Sequence, residues 1–417
     1  DQMGSGLKYL YFSSGKMKKS GLIIACFIVK FAAICSAPPA FSQDTVSINS
    51  TEPDTTFMNS VVNLFTENED GKIPEAQRSK RKQVDALLRA ILEQPGKLQF
   101  SGVATASMQA ELIKDPTYLG TGSFDIFAFA SFGKNALLFF DLEAIGGNGP
   151  DALIPNISGL NADAGSTVSS DGIDRLTVLE AWTEFKAIRD IFTVTFGKID
   201  LTNYFDNNLH ANDETLQFLS AVFVNNPVLP VYFNSPGIRF RTAFLNRFYV
   251  QYGLAMVNVD EINLMQNHFK ILETGFKLFP ESGWEANFRI FGFEHPLANY
   301  SQGFGISFDQ LIANHFNLFG RFGKNQPQMA DWHGIEEAWR VGLGIKQTFI
   351  NREFRIGIGW SETHAHQYLK TEKIAEFYFS NQLNKWVFIS PHFQWLIQSD
   401  TADKRHVLAG LRLNFTY

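Results

Sequence analysis

Only two cysteines occur in the 417 residues, Cys26 and Cys35, and both fall near the amino terminus. Everything downstream is thiol-free, which excludes disulfides, thiol catalysis and a Cys-ligated zinc from the body of the protein. Long apolar runs are equally scarce. A helical transporter needs repeated stretches of about 20 apolar residues, and the one extended apolar run lies between Leu22 and Ala37. Charge is sparse too, at 19% of residues with a net of −6. No basic face is available to meet nucleic-acid phosphates. Catalytic motifs are missing: there is no G-x-S-x-G elbow and no H-E-x-x-H, and Gly320-Arg321-Phe322-Gly323-Lys324 has the wrong spacing for a phosphate loop. The chain therefore does not read as an enzyme, and no cofactor is expected. His364 and His366 offer two imidazoles without a third ligand, so no metal site is expected. Glu180 and Glu184 would need a separation of about 5–10 Å across a sugar to act as an acid/base pair.

What the chain has in abundance is aromatic: 41 Phe, 11 Tyr and 7 Trp, together with 32 Gly. That composition points to an all-β protein. The amino-terminal part reads as an address. From Met17, the pair Lys18-Lys19 is followed by an apolar stretch from Gly21 to Ile34 and by small residues up to Ser42. This is the pattern of a cleavable export signal with its cut near Ser42/Gln43; residues 1–16 precede the natural-looking start. Removing residues 1–42 takes away five lysines and Asp1 and leaves a net charge of −10. Residues 43–72 are a polar lead-in. Over 75–94 the spacing predicts a helix, with Val84, Leu87, Leu88, Ile91 and Leu92 on one side and Arg78 to Lys82 on a solvated face. Pro95-Gly96 ends it; a periplasmic spacer and a lumen plug are both open roles for it. Residues 43–97 thus form a separate lead-in and helix, and 98–417 the main domain.

From Leu98 onward the period changes to two. Trp284, Ala286, Phe288 and Ile290 alternate with Glu285, Asn287, Arg289 and Phe291, and Trp339, Val341, Leu343 and Ile345 alternate with Arg340, Gly342, Gly344 and Lys346. Sixteen such segments begin near 98, 121, 134, 174, 190, 237, 246, 268, 283, 301, 313, 335, 352, 371, 385 and 405. That is about 20 residues per strand, enough for the ~9–11 that cross a membrane plus a connection. Tight turns are expected at Asn246-Arg247 and Asn351-Arg352, and long connections over 146–173 and 200–236. One face is greasy and the other mixes Arg, Glu, Gln, Asn, Gly and Tyr. If the greasy face meets lipid, the sheet must close, because unpaired backbone groups cannot be left in hydrocarbon. The fold class is a 16-stranded antiparallel transmembrane β-barrel with an aqueous channel.

Strand parity puts Arg239, Arg241, Arg289, Arg321, Arg340, Arg355 and Arg412 on the interior side, together with Glu285, Glu353, Glu376 and Tyr378. Two readings stand. These residues brace and hydrate a wet wall, as in any porin. Alternatively, forked guanidiniums, carboxylates and rings hydrogen-bond and stack on passing sugars.

Two blocks carry a resemblance. Gly197-Lys198-Ile199-Asp200 leads into Tyr204-Phe205-Asp206-Asn207-Asn208, then Ala211-Asn212-Asp213-Glu214-Thr215-Leu216-Gln217-Phe218-Leu219, then Phe223-Val224-Asn225-Asn226-Pro227 and Pro230. The second block is Glu376-Phe377-Tyr378, Trp386, Ile389-Ser390-Pro391-His392-Phe393-Gln394-Trp395 and Gly410-Leu411-Arg412. Both resemble the carbohydrate-selective porin (OprB) family over roughly 98–417. His392 departs from the Asp usual there, and the chain ends in Tyr417 rather than Phe. The resemblance implies passive, sugar-selective diffusion through a pore narrowed by an inward-folded loop, here 203–236. Asp206, Asn207, Asn208, Asp213, Glu214 and Gln217 would supply polar contacts at that constriction or hold the loop by Asx-type turns. The partners implied are outer-membrane lipid, small carbohydrates and the barrel-assembly machinery, with a homo-oligomer left open. A non-selective general porin and a structural or adhesive barrel are the alternatives.

Overall fold

The computed structural model describes residues 98–113, 117–132, 135–165, 175–187, 191–230, 234–244, 247–257, 267–280, 282–349, 352–366, 371–399 and 404–416. The export signal, the lead-in and the helix expected over 75–94 lie outside the described residues, as does Tyr417.

The described residues form one closed antiparallel barrel. Its first eight strands are β1 (Leu98–Glu111), β2 (Tyr118–Phe132), β3 (Ala136–Gly147), β4 (Arg175–Ala187), β5 (Phe192–Ile199), β6 (Ser235–Phe244), β7 (Phe248–Met256) and β8 (His268–Leu278). The remaining eight are β9 (Ala286–His295), β10 (Ser301–Ile312), β11 (Phe316–Asn325), β12 (Ile335–Phe349), β13 (Arg352–Ala365), β14 (Thr371–Asn384), β15 (Val387–Ser399) and β16 (Lys404–Thr416). Each strand pairs with its sequence neighbours, and β1 closes the cylinder on β16, with Val103 opposite Thr416 and Glu111 opposite Leu408. Three short helices sit in connections: α1 (Ala162–Gly165), α2 (Ala221–Val224) and α3 (Pro327–His333). No helix among the described residues is long and apolar enough to span a membrane; the strands do the crossing.

Period two sets the two faces. In β9, Phe288 and Ile290 are exposed on the outside while Asn287, Arg289, Phe291 and Phe293 are buried inside. In β12, Val341 and Leu343 face out and Arg340 is fully buried. The outer wall thus carries Phe, Leu, Ile, Val and Trp, the surface that hydrocarbon accepts. The two rims differ. Strands are joined on one rim by brief connections such as 133–135, 313–315 and 385–386, and on the other by 148–174, 200–234 and 257–267. In outer-membrane barrels the short turns belong to the periplasmic rim.

The interior is less uniformly polar than the alternation suggested. Phe127, Phe129, Phe139, Trp182, Phe269, Phe291 and Phe293 all point inward and are almost fully buried. Aromatic rings are tolerated on this face because the interior is packed rather than simply flooded: they join Ile199, Leu201, Tyr204 and Phe205 in one apolar cluster.

Replacing an outward residue at mid-strand with a cation tests the assignment of faces. Leu343→Arg, at a position 56% exposed on β12, should destabilise the lipid-embedded barrel by about 2–4 kcal/mol. Denaturant unfolding from bilayers followed by heat-modifiable gel migration measures it.

Candidate functional site

The β5–β6 connection leaves the rim, and its described residues 200–230 lie inside the barrel. It is shaped locally by its own polar side chains. Asp200 Oδ1 accepts from Thr202 N at 2.8 Å, Asn208 Oδ1 from His210 N at 3.1 Å, and Asp213 Oδ1 from Thr215 N at 2.9 Å and Leu216 N at 3.0 Å. These are the Asx-type turns such residues favour. Gln217 closes the segment, accepting from Asn212 N at 2.9 Å and donating to Leu209 O at 3.0 Å. Asn207 donates to Asn203 O at 3.0 Å.

The wall then grips the loop. Arg321 on β11 donates to Phe223 O at 2.7 Å, Val224 O at 3.1 Å, Asp206 O at 2.8 Å and Asn212 Oδ1 at 2.6 Å. Its Nε also lies 3.2 Å from Asp206 Oδ2, and Arg340 Nη2 lies 3.6 Å from the same oxygen. Asp206 adopts a left-handed backbone with φ of 53°, uncommon for a residue other than glycine; Glu273 on β8 accepts its N–H at 2.7 Å. Further round, Arg412 on β16 donates to Glu214 O at 2.6 Å and Gln217 O at 3.0 Å. Glu376 on β14 accepts Leu219 N at 2.7 Å and Ser220 N at 2.9 Å. His392 Nδ1 at 3.0 Å and Gln394 Nε2 at 3.2 Å steady that carboxylate. The Tyr378 ring meets Phe218 edge-on at 5.0 Å. Inward glycines leave room for the loop: a Cβ on Gly359 would sit 2.6 Å from the Phe223 ring, and one on Gly323 would sit 2.2 Å from Val228.

Among the described residues, the arginines of the inner wall largely pair with carboxylates. Arg289 meets Asp309 at 2.6 Å, Arg239 meets Glu184 at 3.7 Å, Lys346 meets Glu353 at 2.7 Å, and Arg355 also pairs with Glu353; Arg321 and Arg340 share Asp206. Arg239 also lies over the Tyr204 ring at 4.2 Å, and Arg241 over Tyr249 at 5.0 Å. Glu285 pairs with Lys277 at 3.5 Å. Towards the short-turn rim a small hollow remains, lined among others by His210, Gln217, Asn317, Lys346, Arg355 and Tyr378. The two histidines considered as metal ligands do not converge. His364 faces Glu362 at 3.4 Å, while His366 sits between Asp331 and Glu336. Among the described residues no group of three His, Cys, Asp or Glu side chains is placed to hold a metal ion.

A second inward segment was not foreseen beyond its length. The β3–β4 connection is tied by Glu372, which accepts Ser158 N at 2.9 Å, and by Gln394, which donates to Leu160 O at 2.8 Å. Asn161 donates to Gln109 at 2.7 Å, and Asp163 in α1 accepts from Ser123 at 2.9 Å. The two inward segments also bond each other, Ala162 N to Leu219 O at 2.7 Å and Ala221 N to Gly159 O at 3.1 Å. Strand parity could have found Glu273, Glu372, Asp309 and Gln394 as interior residues. Beyond the strands, His333 of α3 holds Pro227 O at 2.7 Å, and burial pushes its imidazole below the usual range.

Residues 292–417, from within β9 to the end of the chain, match the carbohydrate-selective porin, OprB family. The carboxy-terminal part of the chain is thus similar to that family of porins. The second sequence block lies inside the matched stretch and the 197–227 run lies upstream of it. The fold is similar to that of Pseudomonas putida OprB, with a TM-score of 0.66 and 16% identity over 82% of this chain and 99% of that one. An anion-selective porin from Comamonas acidovorans is similar at a TM-score of 0.51 and 8% identity, over 77% of this chain and 100% of that one. At these identities the likeness concerns the fold alone. An uncharacterized protein of Aquifex aeolicus (strain VF5) is 29% identical over 298 residues, which are 71% of this chain and 84% of that protein. The family matched by residues 292–417 is one of porins.

Two substitutions separate grip from space. Arg321→Ala leaves Asp206 buried beside fewer cations, so denaturant unfolding should report a loss of about 3–5 kcal/mol. Gly359→Leu should displace Phe223, and single-channel recording should show a changed, noisier conductance with the barrel still folded.

Proposed function

We propose that this porin passes small neutral carbohydrates, glucose-like monosaccharides or short oligosaccharides, down their gradient. The reading rests above all on the charge pairing of the inner wall. Arg239 with Glu184, Arg289 with Asp309, and Lys346 and Arg355 with Glu353 offer donors and acceptors side by side with little net field. A sugar hydroxyl both donates and accepts, so it can exchange partners along such a wall, whereas an ion gains little to offset its lost water. Rings beside these pairs, Tyr204 under Arg239 and Tyr378 in the hollow, suit the C–H faces of a pyranose. Transport requires contacts loose enough to release, so millimolar affinity at a single site, about 4 kcal/mol, is the matching scale.

Liposomes carrying the full chain should swell faster in glucose than in a salt whose anion is of similar size. Equal rates for all solutes would reduce the protein to a general porin. No swelling and no single-channel current would favour a structural barrel. Arg239→Ala should weaken block of the conductance by added sugar severalfold, read in planar bilayers.

A further inference from the structure

We propose that the outer wall of the barrel carries, at its long-loop edge, a belt that holds the headgroups of a phosphorylated glycolipid. The belt is built on Lys198, Lys270, Lys324, Lys373 and Arg405. All five occupy outward positions, because the residue that follows each of them, Ile199, Ile271, Asn325, Ile374 and His406, is buried on the inner face. Each stands within three residues of the long-loop end of its strand. The four lysines lie on β5, β8, β11 and β14. At the usual strand spacing, three strands separate neighbours by about 14 Å, far enough for each lysine to serve its own headgroup.

The opposite half of the outer wall is built differently. Phe100, Phe132, Phe185, Phe276 and Phe349 face out there, and Arg352 is the single outward charge among the described strand residues of that half. On the long-loop side, Phe196, Leu272 and Phe322 come two residues farther into the apolar band, so the cations mark its border. Long basic side chains lay their stems along such a surface and lift their heads to the polar layer. Lys270 also lies over the Tyr300 ring at 5.6 Å, and tyrosine is itself an interfacial residue.

Carboxylates accompany three of the lysines. Lys270 pairs with Glu294, Lys324 with Glu337 at 3.0 Å, and Lys373 with Glu362 at 3.5 Å. An ammonium has three donors, so a phosphate can join each pair without displacing the carboxylate, and the carboxylate can accept hydroxyls. Ammonium and carboxylate side by side suit a headgroup that presents phosphate and sugar hydroxyl together. In outer-membrane barrels this rim is the extracellular one. The belt faces lipid and is independent of which solute the channel prefers.

The test uses the full chain folded in detergent, as judged by heat-modifiable migration. It is titrated with diphosphoryl lipid A, phosphatidylglycerol or phosphatidylcholine, and bound lipid is counted by native mass spectrometry. Lipid A should be retained at about tenfold lower concentration than either phospholipid. Lys198→Gln, Lys270→Gln, Lys324→Gln and Lys373→Gln combined should weaken that retention about tenfold or more. Should the fourfold variant not fold, Lys324→Gln with Lys373→Gln should still lose about threefold. Arg352→Gln, at the other rim, should leave retention unchanged. Equal retention of lipid A and either phospholipid, lipid A binding that ignores the lysine substitutions in a folded barrel, or an equal loss in Arg352→Gln would overturn the inference.

Discussion

A peptide segment inside a closed barrel brings with it N–H and C=O groups that neither lipid nor a strand partner can satisfy, and the architecture of this lumen follows from how they are met. The wall divides the labour by charge. Carboxylates take amides: Glu273 receives Asp206 N, Glu376 receives Leu219 N and Ser220 N, and Glu372 receives Ser158 N. Guanidiniums take carbonyls: Arg321 reaches Phe223 O, Val224 O and Asp206 O, and Arg412 reaches Glu214 O and Gln217 O. Bonds with one ionised partner are about twice as strong as neutral ones. The same charges that a narrow passage offers to a solute are therefore also what fixes the passage.

That double duty limits how the wall can vary. A residue that only faced water could change without consequence for the fold. Arg321 cannot, because its fork spans both ends of the inward segment, from Asp206 to Val224. Arg239 and Arg289 are different. They pair with neighbouring wall residues, Glu184 and Asp309, and leave the inward backbone to others. Selectivity can be tuned there more cheaply than at the clamps.

Much of this was readable beforehand, and the reasons are specific. Alternation in β9 and β12 assigned Arg289 and Arg340 to one side and Phe288 and Val341 to the other, because a strand has only two faces. Of the tight turns expected at Asn246-Arg247 and Asn351-Arg352, Asn246 and Asn351 lie outside the described residues. What parity could not tell was how wet the inner face is: Phe127 and Phe139 occupy inward positions as correctly as Asp125 and Asp141 do. Nor could it pair the β3–β4 connection with its anchors, since Gln394 finds Leu160 and Glu372 finds Ser158 across more than two hundred residues. A shift of register between Asp141 and Leu142 against β4 further blurred the count there. The polar residues of 206–217 read as loop builders or as ligands with equal ease. In place they form turns, and Asp206 also receives the cations.

The seam between β1 and β16 has a bearing on biogenesis. Strands elsewhere meet a partner made just before them, yet Ser107 waits for Arg412 and Thr105 for Asn414. Until the last residues leave the ribosome and the secretion channel, the growing sheet has two raw borders, each a template for promiscuous pairing. Such late, sequence-distant closure is intrinsically slow. Whatever escorts the chain across the periplasm must shield those borders for the whole of that interval.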